Sequence, residues 1–270
     1  MTGTDNPPAV TISGVSFSYG NRRVLHGIDV DVSRGSYCGI VGSNGSGKTT
    51  LAYLIAGILS PSHGTITTHG LKTGLVLSNP ANQVVSLVVE EDIAFGPENM
   101  GLTSSEISSR IVYALEMIHC LHLRSALISS LSGGQLAKIA FAGQLALDAD
   151  ILVLDEGMVM LDPVSRRNLL ETIQELNAAK GKTVIHISHR LDDLEAANRV
   201  VVIQDGMITH SSQGVLDLVR TLPGHSIPGI EPGEYLLYRK FLHDMGIDEP
   251  DLHTATRLLA RRMNVAGIPH

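Results

Sequence analysis

Only two cysteines occur among the 270 residues, Cys38 and Cys120, and they stand far apart. That excludes a disulfide framework and a paired zinc spacing, and it fits a reducing compartment. No apolar run approaches the roughly 20 residues that a membrane helix needs. A role at a membrane would have to be exercised from its surface, through a partner. The opening MTGTDNPPAVTISG has no basic segment followed by an apolar one, so no signal peptide is expected. A basic excess is missing too. The formal net charge of -7 argues against bulk electrostatic binding to nucleic acid. There is no internal repeat, no low-complexity segment and no heptad stretch. What is present is 43 % hydrophobic and 17 % charged residues, the balance of a globular domain with an ample core.

Residues 9–37 alternate apolar and polar, which predicts short antiparallel strands with turns at Gly20-Asn21 and Arg34-Gly35. A short apolar strand from Tyr37 to Val41 then runs into a Gly-rich loop and a helix over 48–59. Pro61, His63 and Gly64 are read as the stop of that helix. Strands are expected at 65–68 and 74–77. From about Val88 to Ser130 the pattern turns helical. Thr103 with Glu106 forms a capping-box signature, and Ile107, Ile111, Ala114, Leu115 and Ile118 share one face. Strands return at 151–155, 183–188 and 199–204, separated by helices. That alternation implies a mostly parallel sheet of an α/β fold. After about Ser211, prolines and glycines set off a tail with amphipathic patterns near 234–245 and 251–263.

Gly42-Ser43-Asn44-Gly45-Ser46-Gly47-Lys48-Thr49 fits G-x-x-x-x-G-K-S/T. Glycines let successive backbone N–H groups curl around an anion, and the following helix aims its positive dipole end at the same point. Lys48 is placed to reach the β- and γ-phosphates. The hydroxyl of Thr49 is a ligand for Mg²⁺, and Thr50 follows at the helix start. This motif specifies a nucleoside triphosphate and nothing narrower.

Leu131-Ser132-Gly133-Gly134-Gln135 narrows it. Ser132 alone reads as an ordinary N-cap. The whole string after a phosphate loop, and shortly before the apolar strand Ile151-Leu152-Val153-Leu154 that ends in Asp155-Glu156, resembles the ATP-binding cassette (ABC) family over about residues 10–211. The resemblance implies a P-loop ABC core with a parallel sheet. It adds an N-terminal antiparallel β-subdomain, a helical signature subdomain at about 84–136 and, beyond a cassette at 9–211, a small helical extension over 212–270. It also implies residue roles. Tyr19 would stack on adenine. Gly42 to Thr50 would hold ATP, and Thr49 with Asp155 would hold Mg²⁺. Glu156 would be the base for the attacking water, and His189 the switch histidine. Ser132, Gly133, Gly134, Gln135 and Asp162 would act in trans, on the ATP of a second cassette packed head to tail. His119, Cys120 and His122 lack a second ligand pair and are read as part of a helix face.

Asn79-Pro80, Gln83 and Glu90 to Pro97 are similar to the stretch after the third core strand in energy-coupling-factor cassettes, the ATPases of vitamin and transition-metal-ion importers. That implies a second cassette, identical or homologous, a transmembrane scaffold and a separate substrate-binding membrane protein as partners, no nucleic acid, and a peripheral place on the cytoplasmic face of the membrane. Three positions depart from the family pattern. Ser78 stands where a glutamine normally links the metal or water to the membrane subunit. Gly157 stands where proline usually follows the glutamate. Leu136-Ala137-Lys138 follow the signature where polar and basic residues are common. Two other classes remain: a partly degenerate cassette that mainly completes a partner's site, and a non-transport ABC ATPase acting on nucleic acid or ribosomes.

Overall fold

A computed structural model describes residues 6–221. Two strands open the chain, β1 (Pro8–Tyr19) and β2 (Arg22–Ser33), joined by the turn at Gly20-Asn21. β1 also pairs with β4 (His63–Thr67), giving an antiparallel sheet in the order β2-β1-β4. The second sheet holds β3 (Tyr37–Val41), β5 (Thr73–Val76), β6 (Ile151–Asp155), β7 (Thr183–Ile187), β8 (Arg199–Gln204) and β9 (Met207–Ser212). Its order is β5-β6-β7-β3-β8-β9, parallel throughout except for the β8–β9 pair.

The parallel strands are buried on both faces, so they read as continuous apolar runs. Their period of two nevertheless sorts the side chains. Val153 and Ile151 face the antiparallel sheet and α1 (Lys48–Ile55), together with Cys38, Ile40, Ile185 and Ile187. Leu152 and Leu154 face the opposite way, with Val41, Val184 and Val202. There they meet four further helices, α2 (Val89–Asn99), α3 (Ser104–Met117), α4 (Gly133–Ala146) and α5 (Pro163–Lys180). Thr103 and Glu106 form the capping box of α3, and Ile111, Ala114, Leu115 and Ile118 are buried as the periodicity predicts. A last helix, α6 (Val215–Thr221), follows β9, and its Val215 and Leu218 join the same core.

Three expectations about local structure need correction. The first helix stops at Ile55 rather than at 59, because Gly57 turns the chain at φ 73°. His63 and Gly64 are not its stop signals; they lie inside β4. Gly64 has φ 80°, and a Cβ there would meet the Ser13 carbonyl at 2.4 Å, so glycine lets β4 close onto β1. The strand β9 went unread because MITHSS is mostly exposed and alternates weakly. The amphipathic patterns at 234–245 and 251–263 lie outside the described residues.

Candidate active site

The phosphate loop connects the buried end of β3 to α1. Its glycines are demanded by close approach. A Cβ on Gly42 would lie 2.1 Å from the Ile203 carbonyl oxygen. Gly47 has φ 102°, and a Cβ there would lie 2.6 Å from Leu25 Cδ2, so the loop presses directly on β2. Ser46 N–H donates to the Ser43 carbonyl at 3.2 Å, which closes the turn.

Lys48, only 5 % exposed, folds back over the loop. Its ammonium donates to the carbonyls of Gly42 at 2.9 Å and Ser43 at 3.0 Å, and lies 3.9 Å from Glu156 Oε1. Burial lowers its pKa, against the opposing pull of Glu156 and Asp155. Thr49 Oγ donates to Asp155 Oδ1 at 3.1 Å. Asp155 is fully buried and its Oδ2 has no partner. Burial pushes its carboxyl up to about 6; the Thr49 bond lowers it, nearby Glu156 raises it, and Lys48 lowers it. An orphaned carboxylate oxygen beside a hydroxyl is an all-oxygen donor pair suited to a hard cation. The residues present therefore fit Mg²⁺.

Glu156 leaves the sheet with φ 51°, an uncommon left-handed conformation for a non-glycine residue. Its N–H donates to the Ile187 carbonyl at 3.1 Å, holding it at the end of β7. One residue on, Ser188 N–H donates to the Ile40 carbonyl at 3.2 Å. These two bonds set the loop that carries His189 between the strand of the phosphate loop and the strand of Asp155. A Cβ on Gly157 would meet Val76 Cγ1 at 2.8 Å, so any larger residue there would have to displace that side chain.

Tyr19 ends β1 opposite Arg22, half exposed, with its ring edge-on to Phe17 at a centroid distance of 4.9 Å. Tyr53, one turn after Thr49 on α1, was not singled out from the sequence. Its hydroxyl pKa is raised first by burial, then by the charge of Asp155 and then by Tyr19. Its spacing of four from Thr49 was the signal available. Ser78 is exposed just past β5. Gln83 is committed elsewhere: its side chain accepts from Leu77 N–H at 2.7 Å and donates to the Leu75 carbonyl at 2.8 Å.

The signature residues form a separate group. Ser132 caps α4, and Gln135 returns the bond, with Gln135 N–H to Ser132 Oγ at 3.2 Å and Ser132 N–H to Gln135 Oε1 at 2.9 Å. Gly133 and Gly134 lie against Met160; a Cβ on them would meet its Sδ at 3.1 Å and its carbonyl at 3.2 Å. Asp162 caps α5 by accepting from the N–H groups of Val164 and Ser165, both at 3.0 Å, and the bonds from Ser165 hold its carboxyl below the usual range. Among the described residues, no side-chain hydrogen bond or ion pair joins this group to Lys48, Thr49, Asp155 or Glu156. Side-chain contacts thus join Lys48 to Glu156 and Thr49 to Asp155, while Ser132 and Gln135 bond each other and Asp162 bonds its own helix.

Comparison with known proteins identifies the family. The ABC transporter family matches residues 25–159. An energy-coupling factor transporter ATP-binding protein of Symbiobacterium thermophilum is 42 % identical over 74 % of this chain and 78 % of its own length. Its counterpart in Leuconostoc mesenteroides is 37 % identical over 90 % of this chain and 88 % of its own. This chain belongs to the ABC transporter family, among the energy-coupling factor ATP-binding proteins. As an ABC cassette it is an ATP-binding ATPase subunit. The solved structure of cbiO1 from Clostridium perfringens, part of the ABC transporter complex cbiONQ, superposes on the cassette with a TM-score of 0.72 and 27 % identity. It covers 89 % of this chain and 99 % of that one. A dimeric bacterial ABC transporter cassette shares the fold, with a TM-score of 0.69 at 22 % identity over 76 % of this chain and 98 % of that one.

Proposed function

We propose that this cassette energises an energy-coupling-factor importer for a vitamin or a transition-metal ion, as one half of a head-to-tail ATP sandwich. The observation that carries the reading is the Thr49–Asp155 hydrogen bond, with a free oxygen on the buried Asp155 carboxylate, beneath a loop that Lys48 already spans. The partners are a second cassette, a transmembrane scaffold and a separate substrate-binding membrane protein, with the cassette peripheral on the cytoplasmic face. Among the described residues no helix is long and apolar enough to cross a membrane. The family relatives, named as ATP-binding proteins of such transporters, support the subtype.

Each residue then has a task. The N–H groups of the loop from Gly42 to Gly47, with Ser46, Thr50 and the start of α1, cradle the phosphates. Lys48 exchanges its two carbonyl partners for phosphate oxygens, which neutralises charge where it builds up in phosphoryl transfer. Thr49 and Asp155 would hold Mg²⁺, which when bound would supply positive charge against that of the phosphates. Glu156, turned out of the sheet by its left-handed backbone, accepts the proton of the attacking water. His189 donates a hydrogen bond to the γ-phosphate. Tyr19 offers an exposed ring to adenine. Ser132, Gly133, Gly134, Gln135 and Asp162 stand ready for the partner's nucleotide. In the test, Mg²⁺-ATP is titrated into the parent and into Lys48→Ala. Loss of binding in the variant supports the site, and unchanged affinity overturns it.

One observation favours a second reading. Ser78 is too short to span metal and membrane subunit, and Gln83 is bound to the end of β5. A cassette so built would hydrolyse slowly at its own phosphate loop and mainly complete the partner's site. ATP turnover with each cassette's glutamate disabled in turn separates the two.

A further inference from the structure

His189 lies between two residues that are pinned through one side chain. Ser188 is 3 % exposed, and its hydroxyl donates to Asp193 Oδ2 at 2.7 Å. The same hydroxyl accepts from Arg190 N–H at 3.0 Å. So the backbone on both sides of His189 is tied to one oxygen of Ser188, and Ser188 is tied to Asp193. Asp193 is 4 % exposed and belongs to the short 3-10 turn Leu191–Leu194 that follows the histidine. Behind it, the Tyr37 hydroxyl contacts the Asp193 carbonyl at 3.4 Å and shares a 2.8 Å hydrogen bond with His186 Nδ1.

The carboxylate of Asp193 has a second partner from another part of the fold. Arg166 Nε donates to Oδ1 at 2.7 Å, and Arg166 Nη2 donates to Oδ2. Burial alone would raise this carboxyl, yet the bonds from Arg166 and Ser188 hold it below the usual carboxylate range. It is a planar two-pronged contact, which fixes orientation as well as distance. Arg166 sits one turn into α5, and its N–H donates to the Asp162 carbonyl at 2.9 Å. Asp162 caps that helix. A continuous set of bonds therefore runs from Asp162 through Arg166, Asp193 and Ser188 to the backbone on either side of His189.

We infer that Arg166 and Asp193 are positioning residues that make the segment around Asp162 and the loop of His189 move as one body. The consequence rests on the sandwich reading above. There, Asp162 serves the partner's ATP and His189 serves this chain's own. A rigid link between them ties the geometry of one ATP site to that of the other. The sequence hid it, since Arg166 and Asp193 are 27 residues apart in the chain.

The test uses the assembled transporter, with one cassette's glutamate disabled so that each ATP site is read alone. Where the two cassettes are identical, differently tagged copies carry the variants. Asp193→Asn keeps the shape and removes the charge. It is expected to lower turnover about tenfold at each site, the value of one lost charge-assisted bond, while Mg²⁺-ATP affinity stays within about twofold. In a His189→Ala background it is expected to cause no further loss at this chain's own site, since it acts through that histidine. Arg166→Lys, which keeps the charge, is expected to fall between the parent and Arg166→Gln. Equal loss with and without His189 overturns the positioning role. A loss confined to this chain's own site overturns the link to Asp162. If the Glu156→Gln assembly fails to associate with ATP, the sandwich reading fails. If it associates and Asp193→Asn lowers turnover at this chain's own site alone, the sandwich reading stands and only the link fails.

Discussion

The two groups of functional residues are built in opposite ways. The group at the phosphate loop contains buried atoms left unfinished: Asp155 Oδ2 and Ser46 Oγ are inside the protein with no partner, and Lys48 spans its own backbone carbonyls. The signature group is exposed and finished: Ser132 and Gln135 satisfy each other, and Asp162 satisfies α5. Unpaired buried polar atoms cost free energy that only a ligand returns. Mutually capped ends cost little, so they can wait at a surface. The first pattern suits the half-site that takes up this chain's own nucleotide, the second the half-site offered to a partner's nucleotide.

The sharpest break of this contrast is Glu156→Gln. Loss of a general base predicts turnover lower by about 10²- to 10⁴-fold with Mg²⁺-ATP binding kept, measured by phosphate release and by titration. Turnover equal to the parent would remove Glu156 from the reaction. Lys48→Ala comes next. Losing a charge-assisted contact of about 1.5–3 kcal/mol, or more where two phosphates are reached, predicts at least a roughly tenfold to hundredfold loss of affinity by calorimetric titration. Substitutions at the signature group should leave that affinity unchanged.

How much of this was legible in the sequence depended on the range of the interactions. Local rules worked. The Thr103–Glu106 box, the Ser132 cap, the strand of Asp155 and the turn at Gly20-Asn21 are each set by neighbours in the chain. Gly64 misled because its glycine is needed by another strand rather than by the end of a helix. β9 was invisible because its pairing with β8 supplies the order that its side chains do not. At the site, the residue types were readable from motifs. The left-handed Glu156, the orphaned oxygen of Asp155, Tyr53 and the Arg166–Asp193 contact arise where distant segments meet, and no single stretch encodes them.

Ser78→Gln sharpens the comparison further. If the missing glutamine weakens this chain's own site, restoring it is expected to raise turnover there about tenfold or more, the value of one contact of about 1.5–3 kcal/mol. Phosphate release with the partner's glutamate disabled is the measurement, and no gain would show that the loop couples by another route. A gentler effect follows from pH. Without metal, Asp155 takes up a proton with a midpoint of about 6. Mg²⁺ must displace that proton, so Mg²⁺-dependent nucleotide affinity is expected to fall by roughly tenfold per unit below about pH 6 and to level off above it. For folding the sign is the reverse of a paired carboxylate. The folded pKa lies above the ordinary aspartate value of 3.8, so this group's contribution to stability in the absence of metal declines as pH rises from about 4 to about 6. Nucleotide titrations from pH 5 to about pH 8 check the first, thermal melts the second. A flat affinity profile would place the metal elsewhere.

The central claim is that Ser132 and its neighbours belong to the partner's ATP and Lys48 and its neighbours to this chain's own. It is tested most directly by Ser132→Arg in the assembled transporter, with turnover read at each site separately. The account predicts that the partner's site loses about a hundredfold or more in turnover, because a bulky cation replaces the cap at an anion site. Nucleotide binding to this chain's own phosphate loop stays at the parent's level. A loss at this chain's own site, with the partner's site unaffected, would contradict it.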